Sequence, residues 1–225
     1  MYRRQFLIGL TSLGFSIVPS TVIASKNAGT VFNILWRDID VGYSSLNLIK
    51  NGSNLIVKVD VKIDVSLLGL RLFSYSLNCK EIWKNKELLS LKSKVVMGKK
   101  YEYVNGEKTL NGFEIDGSAF SGTLKGNLAT TSYFTPDFLK RNIWISTQNG
   151  RPLEVKCTKI GEAKLDTPKG KITATNWKVS GDLNLNLFYD KNNEWVGSKF
   201  RAGGSETTFI LHKKIGRNHK IWTHS

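Results

Sequence analysis

Two cysteines in 225 residues, and no Cys-x-x-Cys pair, leave no place for thiol redox chemistry. Histidine is almost as scarce. His212, His219 and His224 are the only three, without a cysteine partner, whereas a structural zinc or iron site needs three or four convergent ligands. No metal and no cofactor is expected. A Gly-x-Ser-x-Gly elbow is missing, and so is a phosphate loop: Gly197-Ser198-Lys199 lacks the upstream glycines, and Arg201 to Ser205 lacks the following Lys-Ser/Thr. Past the first two dozen residues no apolar run is long enough to cross a bilayer. Acidic residues are outnumbered, 18 against 33 basic ones, which gives a formal net charge of +15.

What the chain does have begins at its start. Arg3-Arg4-Gln5-Phe6-Leu7 followed by a Gly/Ser/Thr-softened apolar stretch from Ile8 to Ile23 looks like a twin-arginine export signal, with Arg3, Arg4, Phe6 and Leu7 as its core. An ordinary secretory signal is the alternative. Val22-Ile23-Ala24 places small or modest side chains where a signal peptidase reads, so cleavage is expected near Ala24 and the mature protein in the periplasm. The stretch is too short for an anchor, and Pro19 and two glycines interrupt it. Without residues 1–24 the charge falls by the two arginines to +13 over 201 residues, enough for one domain with a sizeable core. The export machinery is the first expected partner. An anionic membrane surface is another; nucleic acid is not expected there. The lysines are scattered, as an A+T-rich coding sequence would scatter them, and this fits a solvated surface better than a binding stripe.

Period two runs through nearly the whole remainder. Leu55, Val57, Val59, Val61, Ile63 and Val65 alternate with Lys58, Asp60, Lys62 and Asp64, the pattern of a half-buried strand. Leu89, Leu91, Val95 and Met97 share a face, as do Leu183, Leu185, Leu187 and Tyr189 opposite Asp182, Asn184, Asn186 and Phe188. Asn51-Gly52, Asn105-Gly106, Asn111-Gly112, Asp116-Gly117 and Asn149-Gly150 read as hairpin turns. The expected fold is all-β: an antiparallel meander of about ten or eleven strands curled into a barrel or half-barrel. One short helix is expected near residues 136–141, from the capping Thr135 and Pro136 at the first helical position. The expected organisation is a signal at 1–24, one β domain at 25–212 and a basic C-terminal tail at 213–225. Cys79 and Cys157 both lie in phase with apolar neighbours; a disulfide between them and two buried free thiols are both open.

With these patterns in place, the chain resembles a family of uncharacterised exported proteins of Gram-negative bacteria, a domain of unknown function. Four blocks carry the likeness: Phe32 to Gly42; Tyr75 through Glu81-Ile82-Trp83; Thr131 to Pro136 with Ser146 to Arg151; and Gly181 to Asp190 with Trp195-Val196-Gly197. The resemblance implies location and an all-β shape, not a mechanism.

Candidate site residues are few. Leu67, Leu68, Leu70 and Phe73 belong to an apolar segment that breaks the alternation between two strands; it is either a lip at the barrel mouth or, the preferred reading, a corner buried on both faces. Glu81 shares parity with Cys79 and Trp83 and is expected on the apolar face, where desolvation raises a carboxyl pKa unless a cation pairs with it. A structural role for it is favoured over general acid catalysis. The leading functional expectation is non-enzymatic binding of an apolar or lipid-like ligand, with Leu67, Leu68, Leu70, Phe73, Glu81 and Trp83 as its candidate contacts. An envelope structural or interaction protein with a solid core is the alternative. A hydrolase using Glu81 and Asp60 is the third, with Asp60 on the polar face of its strand already counting against it.

Overall fold

The computed structural model describes residues 27–67 and 70–224. The export signal with Arg3, Arg4, Phe6 and Leu7, and Leu68, lie outside the described residues. Fifteen strands form one sheet. The first eight are β1 (Asn27–Trp36), β2 (Ile39–Asn51), β3 (Asn54–Leu67), β4 (Leu70–Lys84), β5 (Glu87–Met97), β6 (Lys100–Thr109), β7 (Gly112–Gly117) and β8 (Ser121–Leu124). The chain then runs through β9 (Ala129–Thr130), a 3-10 turn at Pro136–Lys140 and β10 (Ile143–Ile145). It returns along β11 (Pro152–Thr167), β12 (Gly170–Gly181), β13 (Leu185–Asp190), β14 (Trp195–Ala202) and β15 (Ser205–Ile215), and ends in helix α1 (Asn218–Thr223).

Strand order is β8 to β1 in reverse, then β15 down to β9. Both arms are meanders, and they join at the centre where β1 pairs antiparallel with β15, Trp36 opposite Thr207. Every pairing is antiparallel except the two-residue contact of β9 with β10. Short hairpins explain this: Trp36 pairs Ile39 and Lys84 pairs Glu87 across two-residue turns. Their central residues, Arg37-Asp38 and Asn85-Lys86, all have positive φ, as a type I′ turn requires, although none is glycine. The sheet is not closed, and β8 and β9 are its edges. It curls far enough that the Ala119 amide, between β7 and β8, donates to the Asn149 carbonyl beyond β10 (3.0 Å). The expected half-barrel is therefore present, with fifteen strands rather than ten or eleven. The surplus is largely β8, β9 and β10, which are two to four residues long and too short to show a period.

Bulges set the curl and alter two faces. Between Ile82 and Trp83 the partner of β4 jumps from Ser90 to Leu88, so Leu89 is the extra residue. Leu88 consequently takes the interior place that alternation gives to Leu89. A second bulge near Gly161 lets the β11–β12 hairpin bend over the outside of the sheet. There Leu165 and Ile172 cover Ala174, Phe188 and Val196 in a small second core. Asn105-Gly106 is mid-strand, not a turn: a Cβ on Gly106 would stand 2.5 Å from the Phe113 ring, so glycine is needed for close packing.

The concave face is plugged by the chain itself. From β9 the backbone turns inward, and Phe134, Phe138 and Trp144 have no exposed surface. Thr135 caps the 3-10 turn, its Oγ1 accepting from the Asp137 amide (3.3 Å). The expected C-terminal tail is corrected here: residues to Ile215 complete β15, and α1 buries Ile221 and Trp222 beneath the plug. The reason is a set of fixed contacts. Trp222 meets Trp83 and Phe134 edge-on at 5.4 and 5.2 Å, and its Nε1 donates to Asp137 (2.7 Å). The buried Glu194 carboxylate accepts from the first amides of α1, Asn218 (2.9 Å) and His219 (3.1 Å). Among the described residues no helix is long and apolar enough to cross a membrane.

Candidate functional site

Glu81 sits on β4 with no exposure. Trp83 Nε1 (2.7 Å) and Ser132 Oγ (3.3 Å) both donate to its Oε2, while Oε1 is left without a partner. No cation forms an ion pair with it among the described residues. Burial raises its pKa to about 7, against the lowering effect of the Trp83, Thr130 and Ser132 donors. A carboxyl sealed under an indole and two hydroxyls cannot meet a substrate. Asp60 pairs across the sheet with Asn78, on the strand parity opposite to Glu81, so the two carboxyls face no common cleft.

Leu70 and Phe73 stand elsewhere. β2 pairs with β3 only as far as Ile63, and β5 with β4 only as far as Tyr75. Beyond them residues 65–67 and 70–73 pair only with one another among the described residues, as a ribbon projecting from the sheet. Leu70 is 71% exposed, Leu72 62% and Phe73 45%. The expected buried corner is thus corrected to an exposed strand pair, since among the described residues no neighbouring strand covers it. A bulge at Val65/Ser66 makes Leu72 the extra residue. It keeps Leu70 on the ribbon face of Val65 and Phe73, which continues the concave side of the sheet. Eight residues of strand separate Phe73 from Glu81, on the order of 26 Å, so the candidates form an exposed apolar group and a buried polar one rather than a single site.

At the opposite end of the strands lies a cleft of about 830 Å³ that sequence reasoning missed. It is bordered by the turns after β4, β6 and β8 and floored by the plug. Lys86, Lys108, Lys125, Lys140 and Arg141 line it, with Glu87 and Asp137. Lys86 pairs with Asp137 (3.4 Å) and Lys108 with Glu87. Arg141 is buried. Its guanidinium donates to the carbonyls of Leu128 and Lys86 (3.1 Å to the latter) and lies over the Phe138, Trp83 and Trp222 rings at 5.1, 5.6 and 5.9 Å. Desolvation lowers its pKa to about 10, partly offset by Asp137. Residues as far apart as Lys86, Lys125 and Arg141 have no sequence signal in common; only the return of the chain through the barrel brings them together.

The family model that matches is a domain of unknown function, DUF6134, over residues 32–212. The chain belongs to the DUF6134 family. The four blocks that carried the resemblance now have places: the β1–β2 hairpin, β4, the plug and β13–β14. Within this DUF6134 chain they build the core rather than a rim. Trp195 packs on Phe32 (4.2 Å) and Tyr133 (5.7 Å), Tyr189 Oη donates to the Tyr133 carbonyl (2.8 Å), and Gln148 donates to Glu102 (2.7 Å). Among solved structures the DUF6134 chain is similar to a "beta-barrel-like protein of domain of unknown function DUF1849" from Brucella abortus. The TM-score is 0.58 at 8% identity, over 84% of this chain and 97% of that one, a likeness of fold alone. No curated protein matches. Cys79 and Cys157 are both free thiols, and burial raises both pKa values, that of Cys157 to about 11.

Proposed function

We propose that this β-barrel-like protein is exported to the periplasm and makes a non-enzymatic contact with lipid through the β3–β4 ribbon at its open end. The supporting observation is the exposure of Leu70, Leu72 and Phe73 on a ribbon that no other strand covers among the described residues. Exposed side chains of this size grouped on one element are characteristic of an interaction surface rather than of random surface composition. The aromatic plug rules the mode of contact: with Phe134, Phe138, Trp144 and Trp222 filling the concavity, an acyl chain is met at the rim rather than enclosed. Export rests on Arg3-Arg4-Gln5-Phe6-Leu7, and replacing both arginines by lysine is expected to block it; unchanged export would remove the twin-arginine assignment.

The lipid contact is tested by vesicle flotation. Wild-type protein should float with phosphatidylcholine vesicles, and the L70S/F73S double variant, altered only at exposed positions, should lose at least tenfold in partitioning. Equal flotation of the two, or none by the wild type, would discard the ribbon as a lipid contact. The plug favours one other reading, an envelope interaction protein with a solid core, which predicts a crosslinked protein partner and no lipid dependence.

A further inference from the structure

We propose that the cleft floored by Arg141 is a binding site for a phosphate-type oxyanion carried on a polar group. Five cations line it against two carboxylates. The two carboxylates are already committed, Asp137 to Lys86 and Glu87 to Lys108. Lys125, Lys140 and Arg141 are left with no ion pair among the described residues. Arg141 is the telling member. It is 6% exposed, Asp137 offsets its desolvation only in part, and the two carbonyls that fix its guanidinium satisfy two of its five N–H groups. A buried cation whose desolvation is only partly offset is costly; an anion in the cleft lowers that cost and meets the donors left on the planar guanidinium, a group that suits phosphate.

The size and lining narrow the class further. About 830 Å³ is far more than one inorganic ion fills, which leaves room for a substituent on the oxyanion. Asn85, Asn111 and Asn127 also line it, with amides that can donate to and accept from hydroxyls, which fits a sugar or glycerol phosphate. Free phosphate esters and phospholipid headgroups share that chemistry. The cleft opens at the end of the strands away from the β3–β4 ribbon, so its occupancy is independent of the lipid contact proposed above.

Phosphorus NMR of glycerol 3-phosphate titrated with the full mature chain tests this directly. Saturable line broadening is expected with the wild type. It should be lost at least fivefold in K125Q/K140Q, which changes two exposed side chains, and retained in K58Q/K62Q, which removes the same charge from β3. Flotation with vesicles containing phosphatidylglycerol, scored with L70S/F73S as background, tells the headgroup source from the free ester: K125Q/K140Q lowers it only if headgroups enter the cleft. No saturable binding to the free ester together with no effect of K125Q/K140Q on flotation would overturn the site. Equal losses in the two lysine pairs would overturn it too, because bulk charge would then account for the binding.

Discussion

Glu81 and Gly106 show how single residues are held to one identity here. Glu81 is a carboxyl placed in the core, so its ionisation opposes folding. With a folded pKa of about 7 against an ordinary value of 4.5, its favourable contribution is complete below pH 4.5 and is lost as pH rises through 7. Glu81→Gln keeps an acceptor for Trp83 and cannot ionise. It is expected to match the wild type near pH 4 and to exceed it at pH 8 by on the order of 3 kcal/mol, read by urea unfolding at both pH values. A difference that does not change with pH would show that Glu81 is already ionised without penalty. At Gly106 the Phe113 ring occupies the space of a Cβ. Gly106→Ala should therefore cost about 1–3 kcal/mol through overpacking, whereas the same exchange in a hairpin turn with positive φ would act through backbone strain instead. The parity of Glu81 was readable from its neighbours Cys79 and Trp83. The role of Gly106 was not, because Asn-Gly spells a turn locally and only the position of β7 beside β6 makes it a packing site.

Elements were legible where one face is wet. β3 alternates from Leu55 to Val65 and was readable over that length. β13 was half readable: Leu185, Leu187 and Tyr189 point inward as expected, but Phe188, on the face with Asn186, is buried by a hairpin that folds over from β11 and β12. A strand covered on both sides loses the contrast on which period-two reading depends. The C-terminal segment failed for a different reason. Lysines and a glycine mark Lys213 to Lys220 as a tail, yet Asn218, Ile221 and Trp222 are the residues that matter, and their partners lie in β1, β4, the β13–β14 turn and the plug. Deleting residues 217–225 should cost at least the ~3–5 kcal/mol of removing one buried Trp, lowering the melting temperature by about 10 °C for a domain of this size. A melting temperature within a degree or two of the full chain would mean that α1 only rests on the surface. The ribbon at Leu70 was misjudged as a buried corner since sequence shows apolar residues but not which neighbouring strands stop short.

At the scale of the whole molecule, one meander with both arms returning to a β1–β15 seam wraps its own chain as a plug. The packed centre leaves two unlike ends: an apolar ribbon at one and a cationic cleft at the other. That polarity follows from strand lengths, because the β3–β4 hairpin outruns β2 and β5, and from the path of the chain, because the turns after β4, β6 and β8 converge above Arg141. Hydrogen–deuterium exchange with and without phosphatidylcholine vesicles reads both ends at once. Lipid contact through the ribbon predicts slowed exchange confined to residues 64–74, with amides at 84–88 and 109–113 unchanged. Protection of the cleft end alone, or an identical exchange pattern with vesicles present, would contradict it.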